Sequence, residues 1–302
     1  MNGYQIMGNI KLSNGVEMPP IVETTNWMDY PVMKKLVTAG MQIGFRAFDT
    51  ARDYGNEDIV GRVMKECLKE QGLSRKDIFI TTKIGNSQQA LGNIEEQVDM
   101  SLKNLQTDYI DLWLMHWPYP GHYVDTWHKM EKVYKSGKVR AIGMANYRIR
   151  HFEHLFNEGV EIMPHCVQME LHPMRTAEDI VSYLKERNIA IQAYSPLCRM
   201  IPKIRENEIL KAIAEKYGKS VGQIILRWHI QNHTVPVFKS LKPKRLAENF
   251  DIFDFTLSDE EMKMVSSLDE DYKYHLESAS CPGFYFFSRC TYLLEYLERH
   301  LK

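Results

Sequence analysis

The sequence lacks the marks of most specialised protein classes. Its five cysteines (Cys67, Cys166, Cys198, Cys281 and Cys290) are odd in number and scattered, with no Cys-x-x-Cys pair. That pattern offers neither a disulfide framework nor a zinc knuckle, and it suits free thiols in a reducing compartment. No apolar run approaches the roughly 18 residues that a membrane-spanning helix needs. Met1 to Lys11 show no basic stretch followed by an apolar one, so no signal peptide is expected and the cytoplasm is the expected compartment. Charge of one sign is also missing: 38 Lys and Arg stand against 39 Asp and Glu, for a net charge of −1. Without a basic surplus there is no electrostatic footprint for nucleic acid or an anionic membrane. The G-x-G-x-x-G run that would open an open-sheet dinucleotide domain is absent too.

What is present is an ordinary globular composition. With 44% hydrophobic and 25% charged residues over 302 positions, the chain can bury a large core, which excludes disorder and a disulfide-stapled miniature. Short β-branched or aromatic runs recur, each followed by a turn and an amphipathic stretch. The runs read as strands are Ile21 to Thr24, Phe45 to Asp49, Ile78 to Thr82, Tyr109 to Met115, Ala141 to Ala145, Cys166 to Glu170, Ile189 to Tyr194 and Val235 to Phe238. Helical patterns lie between them at Ile59 to Glu70, Ile94 to Leu105, Val124 to Lys135, Phe152 to Asn157, Ala177 to Arg187 and Val221 to Gln231. Alternation at this spacing means parallel pairing through right-handed crossovers, and eight units close most naturally as an α/β (β/α)8 TIM barrel. Asn14-Gly15 predicts an N-terminal β-hairpin. Two extra helices are expected, at Asn207 to Tyr217 and at Ser258 to Ser267. One domain over 1–302 is expected, with 271–302 as a lid loop and tail helix.

In such barrels the chemistry collects where strands end. The second strand delivers Asp49 and then Tyr54, the third Lys83, and the fourth His116 beside Trp117. Each has a plain structural reading alone: a helix-capping acid, a surface lysine or tyrosine, a satisfied core histidine. An acid, a phenol, an amine and an imidazole at three neighbouring strand ends are harder to explain structurally.

The stretch G-F-R-A-F-D-T-A-R-D-Y-G-N-E-D-I-V-G (Gly44 to Gly61) resembles the most characteristic motif of the aldo-keto reductases. L-Q-T-D-Y-I-D-L-W-L-M-H-W-P, V-Q-M-E-L-H-P, A-Y-S-P-L and F-K-S-L-K-P-K-R-L-A-E-N-F follow in the family's order, so that the resemblance covers about residues 10 to 270. The short segment after Trp117 is similar to the prokaryotic branches. The resemblance implies NADPH-dependent reduction of an aldehyde or ketone, with no metal. It implies a tetrad of Asp49, Tyr54, Lys83 and His116. Tyr54 would protonate the developing alkoxide, Lys83 would lower the phenol's pKa from its usual value of about 10, Asp49 would hold Lys83, and His116 would position the carbonyl.

The same resemblance implies cofactor contacts from Thr25, Asp49, Asn146, Gln168, Tyr194, Ser195 and Leu197. Lys239, Ser240 and Arg245 would grip the adenosine 2′-phosphate, with Glu248 and Asn249 near the adenine. Two cations at one phosphate favour NADPH over NADH. Tyr54, His116, Trp117 and Trp27 would meet a small-molecule carbonyl substrate, and the tail aromatics Phe284, Tyr285 and Phe286 would add apolar wall. Departures from the family pattern fall at Ala145 (usually Ser), Phe238 (usually small), Thr24 and Asn26, and in the tail. The other functions considered are an alcohol or hydroxysteroid dehydrogenase working oxidatively, and a non-catalytic nicotinamide-binding subunit. A monomer or weak homo-oligomer is expected.

Overall fold

A two-strand hairpin opens the fold, β1 (Ile10–Lys11) pairing antiparallel with β2 (Glu17–Met18) through a turn in which Gly15 takes φ +87°. That backbone region is open to glycine without penalty, which is why Asn14-Gly15 marks the turn. The structure is a computed structural model and describes residues 8–275. The expected tail helix, Phe284, Tyr285, Phe286, Cys281 and Cys290 lie outside the described residues.

Eight parallel strands then close into a barrel in the order β10-β3-β4-β5-β6-β7-β8-β9. They are β3 (Val22–Thr24), β4 (Ala47–Asp49), β5 (Phe79–Ile84), β6 (Leu112–Met115), β7 (Ile142–Ala145), β8 (Cys166–Glu170), β9 (Ala190–Tyr194) and β10 (Thr234–Phe238). The helices of the first half are α1 (Tyr30–Ile43), α2 (Glu57–Glu70), α3 (Asn86–Leu91), α4 (Ile94–Leu105), α5 (Tyr123–Lys135) and α6 (Ile149–Asn157). Those of the second half are α7 (Glu178–Glu186), α8 (Pro202–Arg205), α9 (Glu208–Tyr217), α10 (Val221–Gln231), α11 (Pro243–Phe250) and α12 (Asp259–Ser266). The expected TIM barrel, its hairpin and the two extra helices, α9 and α12, are all there.

The elements differ from the sequence reading in two ways. The Tyr109–Met115 run forms a strand only over Leu112–Met115, with Ile110 limited to a single bridge to Val139. Four helices went unassigned: α1, α3, α8 and α11. The first has a local cue: Asp29 accepts from the Val32 N–H as N-cap, and Pro31 stands in the first turn. Thr38 and Gly40 interrupt its helix-forming residues, and burial of Met33, Leu36, Val37 and Met41 holds it.

The barrel interior changes character along its axis. At the bottom, Val22, Ala47, Phe79, Leu112, Leu114, Cys166, Val235 and Val237 form an apolar cluster that Leu12 and Met18 of the hairpin seal. Toward the strand C-termini the inward positions turn polar: Thr24, Asp49, Thr81, Lys83, Gln168 and Gln192. The second layer, between strands and helices, carries the larger core, including Phe45, Trp113, Trp127 and Phe152.

One residue in that second layer is out of keeping. Glu23 on β3 is fully buried, and neither carboxylate oxygen has a hydrogen-bond partner. It sits against α1, where a side chain on Gly40 would overlap its carboxylate. Burial pushes the Glu23 carboxyl up to about 8 from an ordinary 4.5. An acid whose folded-state value exceeds its unfolded one binds more protons in the native state. Stability from this group is therefore complete below pH 4.5 and declines as pH rises toward 8. Glu23→Gln keeps the shape and removes the titration. In urea unfolding it should match the unaltered protein closely below pH 4.5 and exceed it by on the order of a few kcal/mol above pH 8. A pH-independent difference would show that Glu23 holds the same charge in both states.

Candidate active site

Asp49 ends β4 in register with Thr81 of β5, and Lys83 lies two residues beyond Thr81 on the same face. Period-two alternation therefore aims both side chains into the barrel mouth. Lys83 Nζ donates to both Asp49 oxygens at 2.7 Å and to the Thr50 carbonyl at 2.9 Å. Both residues are about 1% exposed. Burial pushes the Lys83 ammonium down from its ordinary value, while Asp49 and then Asp53 pull it back up. Asp49 is saturated, since Thr24 Oγ1 donates to it at 3.1 Å and Gln168 Nε2 at 3.0 Å. Thr24, a departure from the family pattern, thus supplies one of the bonds on the buried acid.

The loop after β4 brings Tyr54 over this pair. A single 3-10 turn, Arg52–Tyr54, closes at Gly55 in the left-handed region and places the phenol oxygen 3.4 Å from Lys83 Nζ. The loop is pinned from two sides. Asn56 donates to the carbonyls of Thr25 and Met28, and buried Glu57 accepts from Thr82 and Ser101. These residues of the N-E pair hold the loop that carries Tyr54, and the sequence reading gave them no role.

His116 follows β6, its N–H bound to the Ile84 carbonyl. Its ring stands edge-on to Tyr54 at 5.8 Å and stacks toward Trp117 at 6.3 Å. Trp27, 65% exposed, reaches to 6.5 Å from the Tyr54 ring. A cavity beside these groups is lined by Trp117, Asn146, Arg175, Tyr194 and Lys273 among others.

The residues implied for a nicotinamide gather on the opposite rim. Tyr194 donates to Asn146 Oδ1 at 2.7 Å, and Asn146 Nδ2 donates to the His116 carbonyl. Gln168 Nε2 is shared between Asp49 and Gln192. Both amides are therefore engaged within the protein, so binding a carboxamide exchanges these bonds. Ala145 is buried and offers no hydroxyl there. Thr25 is buried with its hydroxyl on the Asp49 carbonyl, and Ser195 Oγ lies 3.1 Å from His275 Nε2. Leu197 is half-buried. The backbone is strained along this rim, where Asn146, Ser195, Cys198, Arg199 and Met200 all have φ between 45° and 67°, and at Trp27 beside Tyr54, with φ 57°.

A second group lies apart, at β10 and α11. Exposed Lys239 donates to the Asn26 carbonyl at 2.8 Å, tying this rim to the loop after β3. Partial burial, and then Arg199, lower the Lys239 ammonium from its ordinary value. Ser240 Oγ bonds the Lys242 backbone at the start of α11, Arg245 is exposed, Glu248 half-buried and Asn249 buried. Among the described residues Arg199, Lys239, Lys242, Lys244 and Arg245 form no ion pair. Nearby Lys219, by contrast, sits between Asp251 and Asp254. The side-chain Oδ1 of Asn26 is buried and has no hydrogen-bond partner. Phe238, in place of a small residue, packs edge-on against Phe45 at 5.9 Å.

Comparison with known proteins agrees with this architecture. The model of the aldo/keto reductase family matches residues 21–270. A glyoxal reductase of Bacillus subtilis is 42% identical over 270 residues, 87% of this chain and 93% of that protein. The methylglyoxal reductase DkgA of Escherichia coli K12 is 35% identical over 263 residues, 86% and 93% of the two chains. The crystal structure of a Bombyx mori aldo-keto reductase in complex with NADP superposes with a TM-score of 0.84 at 30% identity, covering 89% of this chain and 95% of that one.

The buried pair yields a test of its own. Asp49→Ala leaves the Lys83 ammonium without its counter-charge and should destabilise the fold by about 3–5 kcal/mol in urea unfolding. The double variant Asp49→Leu with Lys83→Met removes both charges and should recover most of that loss. Equal instability of the two would mean that cavity formation, not the stranded charge, is the cost.

Proposed function

The chain belongs to the aldo/keto reductase family, and from that membership we infer that it reduces an aldehyde or ketone to the alcohol with NADPH as reductant. The observation that carries the reading is the buried Asp49–Lys83 pair with its Nζ 3.4 Å from the Tyr54 phenol. When bound, NADPH supplies the hydride to the carbonyl carbon. Tyr54 gives its phenolic proton to the carbonyl oxygen, which completes the alcohol and leaves a phenolate. The Lys83 ammonium stabilises that phenolate, and Asp49 in turn keeps the buried ammonium charged. His116, next to Tyr54, orients the carbonyl oxygen toward the phenol.

The rim at β10 and α11 suits the adenosine end of the cofactor. Lys239 and Arg245 are cations without acids among the described residues. A 2′-phosphate satisfies this charge and a 2′-hydroxyl does not. Asn146 and Gln168 would take the carboxamide and Tyr194 the nicotinamide face. The relatives' names put short dicarbonyls such as methylglyoxal first among substrates to assay, beside aromatic aldehydes that would use Trp117 and Trp27. The test is loss of NADPH absorbance against such a panel, with NADH alongside.

Two variants probe the assignment. Tyr54→Phe keeps the ring and removes the acid, so reduction should fall by about 10²-fold or more while NADPH affinity barely changes. Retention of a tenth of the activity would exclude Tyr54 as the proton donor. Arg245→Ala should weaken NADPH binding by about 1.5–3 kcal/mol in fluorescence titration. NADH binding should change much less, and equal losses would remove Arg245 from the 2′-phosphate.

A further inference from the structure

The loop after β3 is fastened at both ends and projects between them. The Thr25 N–H donates to the Asp49 carbonyl, and Asn56 Nδ2 donates to the carbonyls of Thr25 and Met28. Between those anchors Asn26 and Trp27 form the tip. Trp27 takes φ 57°, a left-handed conformation that costs a non-glycine residue energy and is kept only where its surroundings enforce it. Among the described residues one side chain hydrogen-bonds this tip from outside. It is Lys239, whose Nζ donates to the Asn26 carbonyl at 2.8 Å. Closure of the barrel makes the contact. β10 pairs with β3, Phe238 opposite Glu23, so Lys239 leaves the last strand beside the loop that leaves the first.

The reduction described above gives this bond no part. An ammonium carries three hydrogens, so one bond to Asn26 leaves two for another acceptor. We propose that Lys239 is a positioning residue that holds the 2′-phosphate of NADPH and the Asn26 carbonyl at once, so that binding the phosphate steadies Trp27 at the rim beside Tyr54. A charge-assisted bond to the phosphate fixes the flexible lysine side chain, and the loop tip tied to the same nitrogen loses freedom with it. The Trp27 ring, 65% exposed and 6.5 Å from the Tyr54 ring, thereby gains a fixed place where the carbonyl compound is met. Cofactor choice and substrate binding become linked, because NADH brings no phosphate to Lys239. The inference rests on the reading of Lys239 as a 2′-phosphate ligand and of Trp27 as substrate wall.

Fluorine NMR of the protein labelled with fluorotryptophan gives Trp27 its own signal, assigned by Trp27→Phe. Adenosine 2′-monophosphate is the probe, because it carries the phosphate without the nicotinamide. At saturation, checked by calorimetry, it should move the Trp27 signal away from the position that signal has in Lys239→Met. Adenosine alone should leave the signal in place. In Lys239→Met the same saturating probe, still held by Arg245, should not move it. With saturating NADPH, Lys239→Met should raise KM for the carbonyl substrate about fivefold or more, with kcat little changed. An equal response to the probe and to adenosine overturns the proposal, as does a response undiminished in Lys239→Met or an unchanged KM. A signal that the probe moves toward its Lys239→Met position also overturns it, since the phosphate would then take the ammonium from the loop. Failure of the probe to bind the unaltered protein would strike the reading of the β10–α11 rim itself, which binding without a Trp27 response leaves intact.

Discussion

The Asp49–Lys83 ion pair is the constraint to which the upper half of the barrel answers. Removing two charges from water costs several kcal/mol per ion, and the cost is recovered only with good geometry and full hydrogen bonding. Here Lys83 reaches both Asp49 oxygens and the Thr50 carbonyl, and Asp49 takes further bonds from Thr24 and Gln168. Four barrel strands, β3, β4, β5 and β8, therefore contribute to one buried pair. A polar layer thus sits on an apolar floor, with the buried pair reaching to 3.4 Å from the Tyr54 phenol at the rim.

Rigidity around that pair is unevenly distributed. The loop bearing Tyr54 is held from below by Asn56 and Glu57, both buried. Across the mouth, the loop after β9 packs four left-handed non-glycine residues, Ser195, Cys198, Arg199 and Met200, into six positions. Such conformations cost on the order of 1–3 kcal/mol each and persist where the surroundings over-determine them. A pinned loop bearing Tyr54 thus faces a strained loop across the barrel mouth. Glu23 is a separate expense: a buried acid in the outer layer that none of the site's hydrogen bonds uses.

Charge follows the same division. At the end of the barrel that holds Tyr54, the Asp49 and Lys83 charges balance within the protein. The β10–α11 end leaves Lys239 and Arg245 unmatched, so the protein's own net charge of −1 conceals a local cationic site. Net charge excludes a broad anionic partner, and it is silent on a single phosphate.

Much of this was legible in the sequence because each strand of a parallel barrel is a short, doubly buried apolar run ended by turn chemistry. That pattern locates strand ends, and with them Asp49, Lys83 and His116, without any knowledge of contacts. The hairpin was legible at Asn14-Gly15 because positive φ restricts residue choice. Boundaries were less so: the reading extended β6 back to Tyr109 because apolar composition does not say where a ladder begins, and it passed over α1 although the Asp29 cap and the spacing of Met33, Leu36, Val37 and Met41 mark a helix. Tertiary structure alone decided which side chains meet. That Thr24 and Gln168 converge on Asp49 depends on inter-strand register, which one-dimensional spacing does not contain. That Asp53 faces His116 depends on the bare Cα of Gly85, 32 positions away in the chain. The sequence determined the fold and the strand-end positions of Asp49, Lys83 and His116, since both follow from local periodicity. Their partners were left to the closing of the barrel, because these depend on distances set only when distant strands come together.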